Sequence, residues 1–124
     1  MSRDWDVKDL LAIGCGGFLG AVARFTFCQS LTSVRGTLAV NVLGSFCLGL
    51  LMYHNEYLGY ISTRTRLFAG IGFLGSFTTF SSFALYAFQM SFVVSLIFIC
   101  ANILPGIFGV LLGRACMIYL GRRR

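Results

Sequence analysis

The sequence predicts an all-α membrane protein of four transmembrane helices, with a break in the third. Three observations carry this. The chain has 124 residues, 57% of them hydrophobic, 11% charged and one a proline, which is too apolar for a soluble domain of that size. Residues 67 to 113 contain no charged side chain. A crossing needs ~20 mostly apolar residues, so this run is long enough to cross a bilayer twice. Inside it, Ser76, Thr78, Thr79, Ser81 and Ser82 place five hydroxyls in seven consecutive positions behind Gly75. A polar interruption of that kind reads as a broken helix that binds or conducts an ion.

The first span is expected at Asp9–Leu31. It is long, lacks an A-x-A site and follows a mixed-charge start (Arg3, Asp4, Asp6, Lys8, Asp9), so no signal-peptide pattern fits. Gly16 and Gly20 have the small-residue spacing that lets helices approach closely. Arg24 is the one charge embedded in a span. At mid-membrane it costs roughly 2.5 kcal/mol or more, so it must face protein, water or the interface. Structural anchoring and attraction of an anion are both open for it.

The second span is expected at Thr37–Tyr53. Asn41 follows Thr37 by one helical turn, so the two share a face. A lone amide in hydrocarbon costs several kcal/mol, and Asn41 must therefore meet a partner helix or a polar pathway. The pathway is favoured because Asn41 belongs to a larger pattern. His54, beside Glu56, ends this span and reads as an interfacial residue.

The third span is expected at Leu67–Phe88 and the fourth at Phe92–Gly113. Gly70, Gly72 and Gly75 match G-x-G-x-x-G, but no strand precedes them and no acid follows, so the match is accidental. In the fourth span Gly109 and Gly113 repeat the close-packing spacing, Asn102 needs a partner, and Pro105-Gly106 is expected to kink or unwind the helix. Residues 54 to 66 form the one substantial loop. The whole chain, 1–124, reads as one four-helix transmembrane subunit.

Several function classes drop out. Four short spans leave no room for a soluble enzyme module, and no nucleophile–base pair or metal cluster is visible. The five cysteines (15, 28, 47, 100 and 116) are scattered singly and behave as small hydrophobes. The net charge of +6 does not indicate nucleic acid, because the arginines flank apolar segments. Arg122, Arg123 and Arg124 instead suit a membrane surface. With four spans, Arg3, Lys8, Arg64, Arg66, Arg114, Arg122, Arg123 and Arg124 share one side, against Arg35 and Arg24 at most on the other. The positive-inside rule then puts both termini in the cytoplasm of a multi-pass cell-membrane protein. So strong a bias implies one fixed insertion.

At the interruption, Ser and Thr can donate back to the preceding turn and free carbonyls from the helical ladder. Freed carbonyls suit a hard cation such as sodium. Exposed N–H groups at a half-helix start suit an anion. Phe80 and Phe83 are three apart and share a face. A phenyl ring has a positive edge, which can favour a small anion without trapping it as a fixed charge would.

Taken together, Gly20-Ala-Val-Ala-Arg24-Phe, Gly36-Thr-Leu-Ala-Val-Asn41-Val-Leu-Gly44 and Gly72-Phe-Leu-Gly75-Ser-Phe-Thr78-Thr-Phe80-Ser-Ser-Phe83 resemble the Fluc/CrcB fluoride channels over all four spans. The resemblance implies an antiparallel dimer of the dual-topology type with two fluoride pores, exporting fluoride passively. It implies that Phe80 and Phe83 line the pores, that Asn41 offers a fluoride-facing amide, and that Thr79, Ser81 and Ser82 supply hydroxyls. It implies that the backbone carbonyls of Gly75 and Thr78, from both subunits, hold a structural sodium ion (Na+) that is not transported. Arg24 matches the family's arginine at the end of the first span. Two departures stand out: Tyr86 occupies a position that is usually acidic, and Gly106 stands where a serine is expected after Asn102.

The arginine bias adds an expectation of its own. An antiparallel dimer built from a chain fixed with its termini inside requires an oppositely oriented homologue, so a heterodimer competes with a homodimer. A non-conducting subunit would tolerate polar replacements at Phe80 or Phe83. A small multidrug transporter needs a mid-span carboxylate, whereas Asp4, Asp6, Asp9 and Glu56 all lie near span ends.

Overall fold

The computed structural model describes residues 6–29, 31 and 33–123. The predicted fold class is present: four helical spans and, among the described residues, no strand. They are α1 (Val7–Gln29), α2 (Ser33–Tyr57), a third span built from α3 (residues 63–77) and α4 (Phe80–Gln89), and α5 (Phe92–Arg122). Arg3, Asp4 and Arg124 lie outside the described residues.

Three of the spans outrun their expected bounds, while α1 covers Val7–Gln29 against the expected 9–31. α2 reaches Tyr57 and α3 starts at Thr63, so the expected 54–66 loop shrinks to residues 58–62. Gly59 makes this short turn possible with φ +119, a conformation costly to side chains bearing a Cβ. The ring of His54 meets the Gly59 carbonyl at 3.2 Å, so this residue belongs to the turn. Apolarity sets the crossing, but hydrogen bonding lets a helix continue past it. α5 therefore runs through Arg114 to Arg122.

The expected unwinding at Pro105 does not occur; α5 is one helix from Phe92 to Arg122. Proline removes one ladder bond, but neighbouring helices can hold a membrane helix through it. Here α2 does so. A Cβ on Gly109 would stand 3.1 Å from the Val42 carbonyl oxygen, and one on Gly113 would stand 2.5 Å from that of Phe46.

The bundle is two close helix pairs, α1 with α3 and α2 with α5, joined by α4 packing on α5 and α2. Between α1 and α3 the backbones nearly touch. A Cβ on Gly16 would collide with the Phe68 carbonyl oxygen, one on Gly20 with that of Phe73, and one on Gly72 with that of Ile13. With no hydrophobic drive inside lipid, this close packing is what associates the helices. Leu67–Leu74 within α3 is π-helical, which the sequence pattern did not suggest.

One end of the bundle collects the charges. Arg64 bridges Asp6 and Asp9, each at 3.1 Å, and Arg114 lies 5.2 Å over the Tyr53 ring. The N-terminal residues, the 58–62 turn and the end of α5 thus share one side.

Candidate functional site

The break consists of two residues. Thr78 (φ −76, ψ 162) and Thr79 (φ −145, ψ 118) are extended between α3 and α4. Their side chains account for it. Thr78 Oγ1 donates to the Leu74 carbonyl at 2.9 Å, where the Thr78 N–H also donates at 3.0 Å. That doubles the donors on one carbonyl and ends the helix. Thr79 then acts as an N-cap within the apolar span: its Oγ1 accepts from the Ser82 N–H at 3.2 Å. Ser81 and Ser82 Oγ lie 3.3 and 3.1 Å from the same hydroxyl. Gly44 of α2 leaves the space for the Thr78 methyl group.

Asn41 holds the break from α2. Its Oδ1 accepts from the Thr79 N–H at 2.9 Å, and its Nδ2 donates to the Thr79 carbonyl at 3.1 Å. One side chain thus pairs with both backbone polar groups of a residue that has left its helix. Thr79 is only 6% exposed, so those groups need such a partner. Nδ2 also reaches Asn102 Oδ1 at 3.4 Å, and Asn102 Nδ2 donates to the Phe98 carbonyl at 3.0 Å. Asn102 thereby finds its interhelical partner.

The diverted donors leave two carbonyls exposed to other uses. In an unbroken helix the Gly75 carbonyl would accept from the Thr79 N–H, which goes to Asn41 instead. The Thr78 carbonyl would accept from the Ser82 N–H, which goes to the Thr79 hydroxyl. Arg24, half-buried on α1, approaches the Thr78 carbonyl with Nη1 at 3.4 Å. It therefore anchors to protein at the break.

These groups meet an open cavity of about 430 Å³. Asn41, Gly75, Thr78, Thr79, Phe80 and Phe83 line it, together with Asn102. Phe80 is 79% exposed and its ring centroid lies 5.7 Å from that of Phe83, with the planes 46° apart. Ser81, exposed, and Ser82, half-buried, bond to the Thr79 hydroxyl but do not line the cavity, and neither does Arg24, which reaches the Thr78 carbonyl. Sequence reasoning missed Gly44, whose role is space, and Phe98, whose ring stacks on Phe83 across the chain.

The arrangement offers oxygens, the amides of Asn41 and Asn102, two phenyl rings and no acid. The described carboxylates Asp6, Asp9 and Glu56 lie near helix ends. Among the described residues no group of His, Cys, Asp and Glu could hold a metal ion. The Gly75 and Thr78 carbonyls fit a hard cation in kind.

Comparison with known proteins matches residues 11–114 to the family described as CrcB-like protein, Camphor Resistance (CrcB). The chain is 48% identical over 118 residues to the Methanosarcina barkeri protein named fluoride-specific ion channel FluC 2, covering 95% of this chain and 94% of that one. It is 36% identical over 118 residues to FluC 3 of the same organism, covering 91% and 86%. To the FluC of Methanocaldococcus jannaschii it is 40% identical over 121 residues, covering 94% and 93%.

Proposed function

The chain belongs to the CrcB family of fluoride-specific ion channels, and we propose from this that it is a passive fluoride channel subunit that lowers cytoplasmic fluoride. The single observation carrying the reading is the cavity at the break. There two phenyl rings and the Asn41 amide border a site without acid, and no described acid lies mid-span. Such a site can hold a small anion weakly enough to release it. Phe80 and Phe83 offer ring edges, Asn41 an amide, and Thr79, Ser81 and Ser82 hydroxyls. Arg24 tethers the break.

The driving force needs no coupling. Hydrogen fluoride is a weak acid that enters cells neutral and ionises inside. The membrane potential, worth about 2.3 kcal/mol per charge per 100 mV, then expels the anion through an open path. A sodium ion held by the Gly75 and Thr78 carbonyls would satisfy the lone pairs of the freed oxygens and so stabilise the break. One chain supplies two such carbonyls, too few to enclose a cation, which favours a second subunit contributing the same pair.

The chain's arginine bias supports a second reading of the assembly, in which the antiparallel partner is an oppositely oriented homologue. The two numbered FluC proteins named in Methanosarcina barkeri show that one organism can hold more than one such chain. Fluoride-loaded liposomes containing this chain, alone or with an oppositely oriented homologue, should release fluoride and retain chloride. Release by neither arrangement overturns the channel reading, and robust release by this chain alone overturns the need for a second one.

A further inference from the structure

Phe98 is among the most buried apolar side chains, 7% exposed, and it does not line the cavity. Its ring lies 5.7 Å from that of Phe83 with the planes 29° apart, a stacked arrangement. The rings of Phe80, Phe83 and Phe98 thus form a series running from exposed to buried. The buried end is held on α5, where the Phe98 carbonyl accepts from Asn102 and, through it, connects to Asn41 and the break.

The stack has an electrostatic consequence. A phenyl ring repels an anion at its face and attracts it at its rim. A ring stacked on Phe83 covers one of its two faces and restrains its rotation. Phe83, which lines the cavity, is then left with less face to present to it. We infer that Phe98 is a positioning residue that fixes Phe83 edge-on to the cavity and so sets anion passage without touching the ion. The inference rests on the channel reading for its effect on transport, but not for its effect on the ring.

Two measurements test it. In the first, 4-fluorophenylalanine replaces Phe83 and ¹⁹F NMR reads the ring. One resonance is expected in the otherwise unaltered chain, and a shifted or broadened one in Phe98→Leu, which keeps the site apolar but removes the ring. An unchanged resonance overturns the inference, whatever the transport result. In the second, fluoride efflux is followed through a double-mutant cycle in the assembly that conducts. Phe98→Leu should slow efflux by about tenfold, the scale of an aromatic pair. It should cost nothing further in a Phe83→Leu background, because the two act as one unit. Undiminished efflux in Phe98→Leu, or losses that multiply, overturns the inference while leaving the channel reading intact. Phe98→Met, less disruptive to packing, serves the same arms should Phe98→Leu not fold. An unaltered chain that releases no fluoride in either assembly overturns the channel reading, and the ring measurement still decides what Phe98 does.

Discussion

The carboxamide of Asn41 supplies, from a side chain, the acceptor and donor that the third span loses at Thr79. Its worth follows from the lack of alternatives. Interhelical bonds in membranes average about 0.6 kcal/mol because unfolded spans find other partners. Leaving a buried peptide group unsatisfied costs about 1–3 kcal/mol. Asn41→Leu strands two such groups, so stability should fall by about 2 kcal/mol, nearer the second figure. Unfolding in detergent micelles checks this, and an unchanged midpoint would count against the clamp. The sequence marked Asn41 as needing a partner, since an amide in hydrocarbon is costly wherever it points. It could not say that the partner is a peptide of another span, because that depends on where the break falls relative to α2.

At the scale of elements, the α1–α3 pair depends on absent side chains. Gly16, Gly20 and Gly72 sit where a Cβ would strike a facing backbone, whereas nothing lies within 4 Å of one built on Gly14. Gly16→Ala should therefore lower the unfolding temperature, since facing carbonyls cannot move aside as a flexible side chain can. Gly14→Ala should leave it unchanged or raise it, by up to about 1 kcal/mol in stability from helix propensity. Equal effects at the two positions, in circular-dichroism melts, would show that the pair is not backbone-limited. The spacing of Gly16 and Gly20 announced close packing on α1. The π-helical turns of Leu67–Leu74 gave no such signal, since an apolar run reads alike for either helix type. Pro105 signalled an unwinding that does not occur, and α5 stays helical through it with α2 packed alongside.

For the whole molecule, the Arg64 bridges to Asp6 and Asp9 and the Arg114–Tyr53 contact gather both ends of the described chain at one side. The exposed Arg64–Asp6 pair contributes little, about 0–1 kcal/mol. The value of these contacts here is to show which arginines share a surface. Topology follows from the unequal arginine count between sides, not from any one pair. A reporter fused to either terminus should read cytoplasmic in every molecule. A population split between the two sides would sink the fixed orientation and favour a homodimer. Many large apolar side chains remain exposed, Phe18, Phe88 and Phe92 among them. Lipid accounts for such surface in a spanning bundle.

Composition and charge placement alone determined that this chain crosses the membrane four times, because burying charges in hydrocarbon is too costly for any other reading of a charge-free run. The hydroxyl cluster behind Gly75 likewise showed which span would break, since those side chains compete for backbone partners locally. Tertiary structure decided the rest. It confined the break to Thr78 and Thr79, gave the Thr79 peptide to Asn41, kept α5 helical through Pro105 and placed Phe98 behind Phe83. Each of these depends on which faces of separate helices come into contact, and contact between distant segments leaves no mark on local spacing.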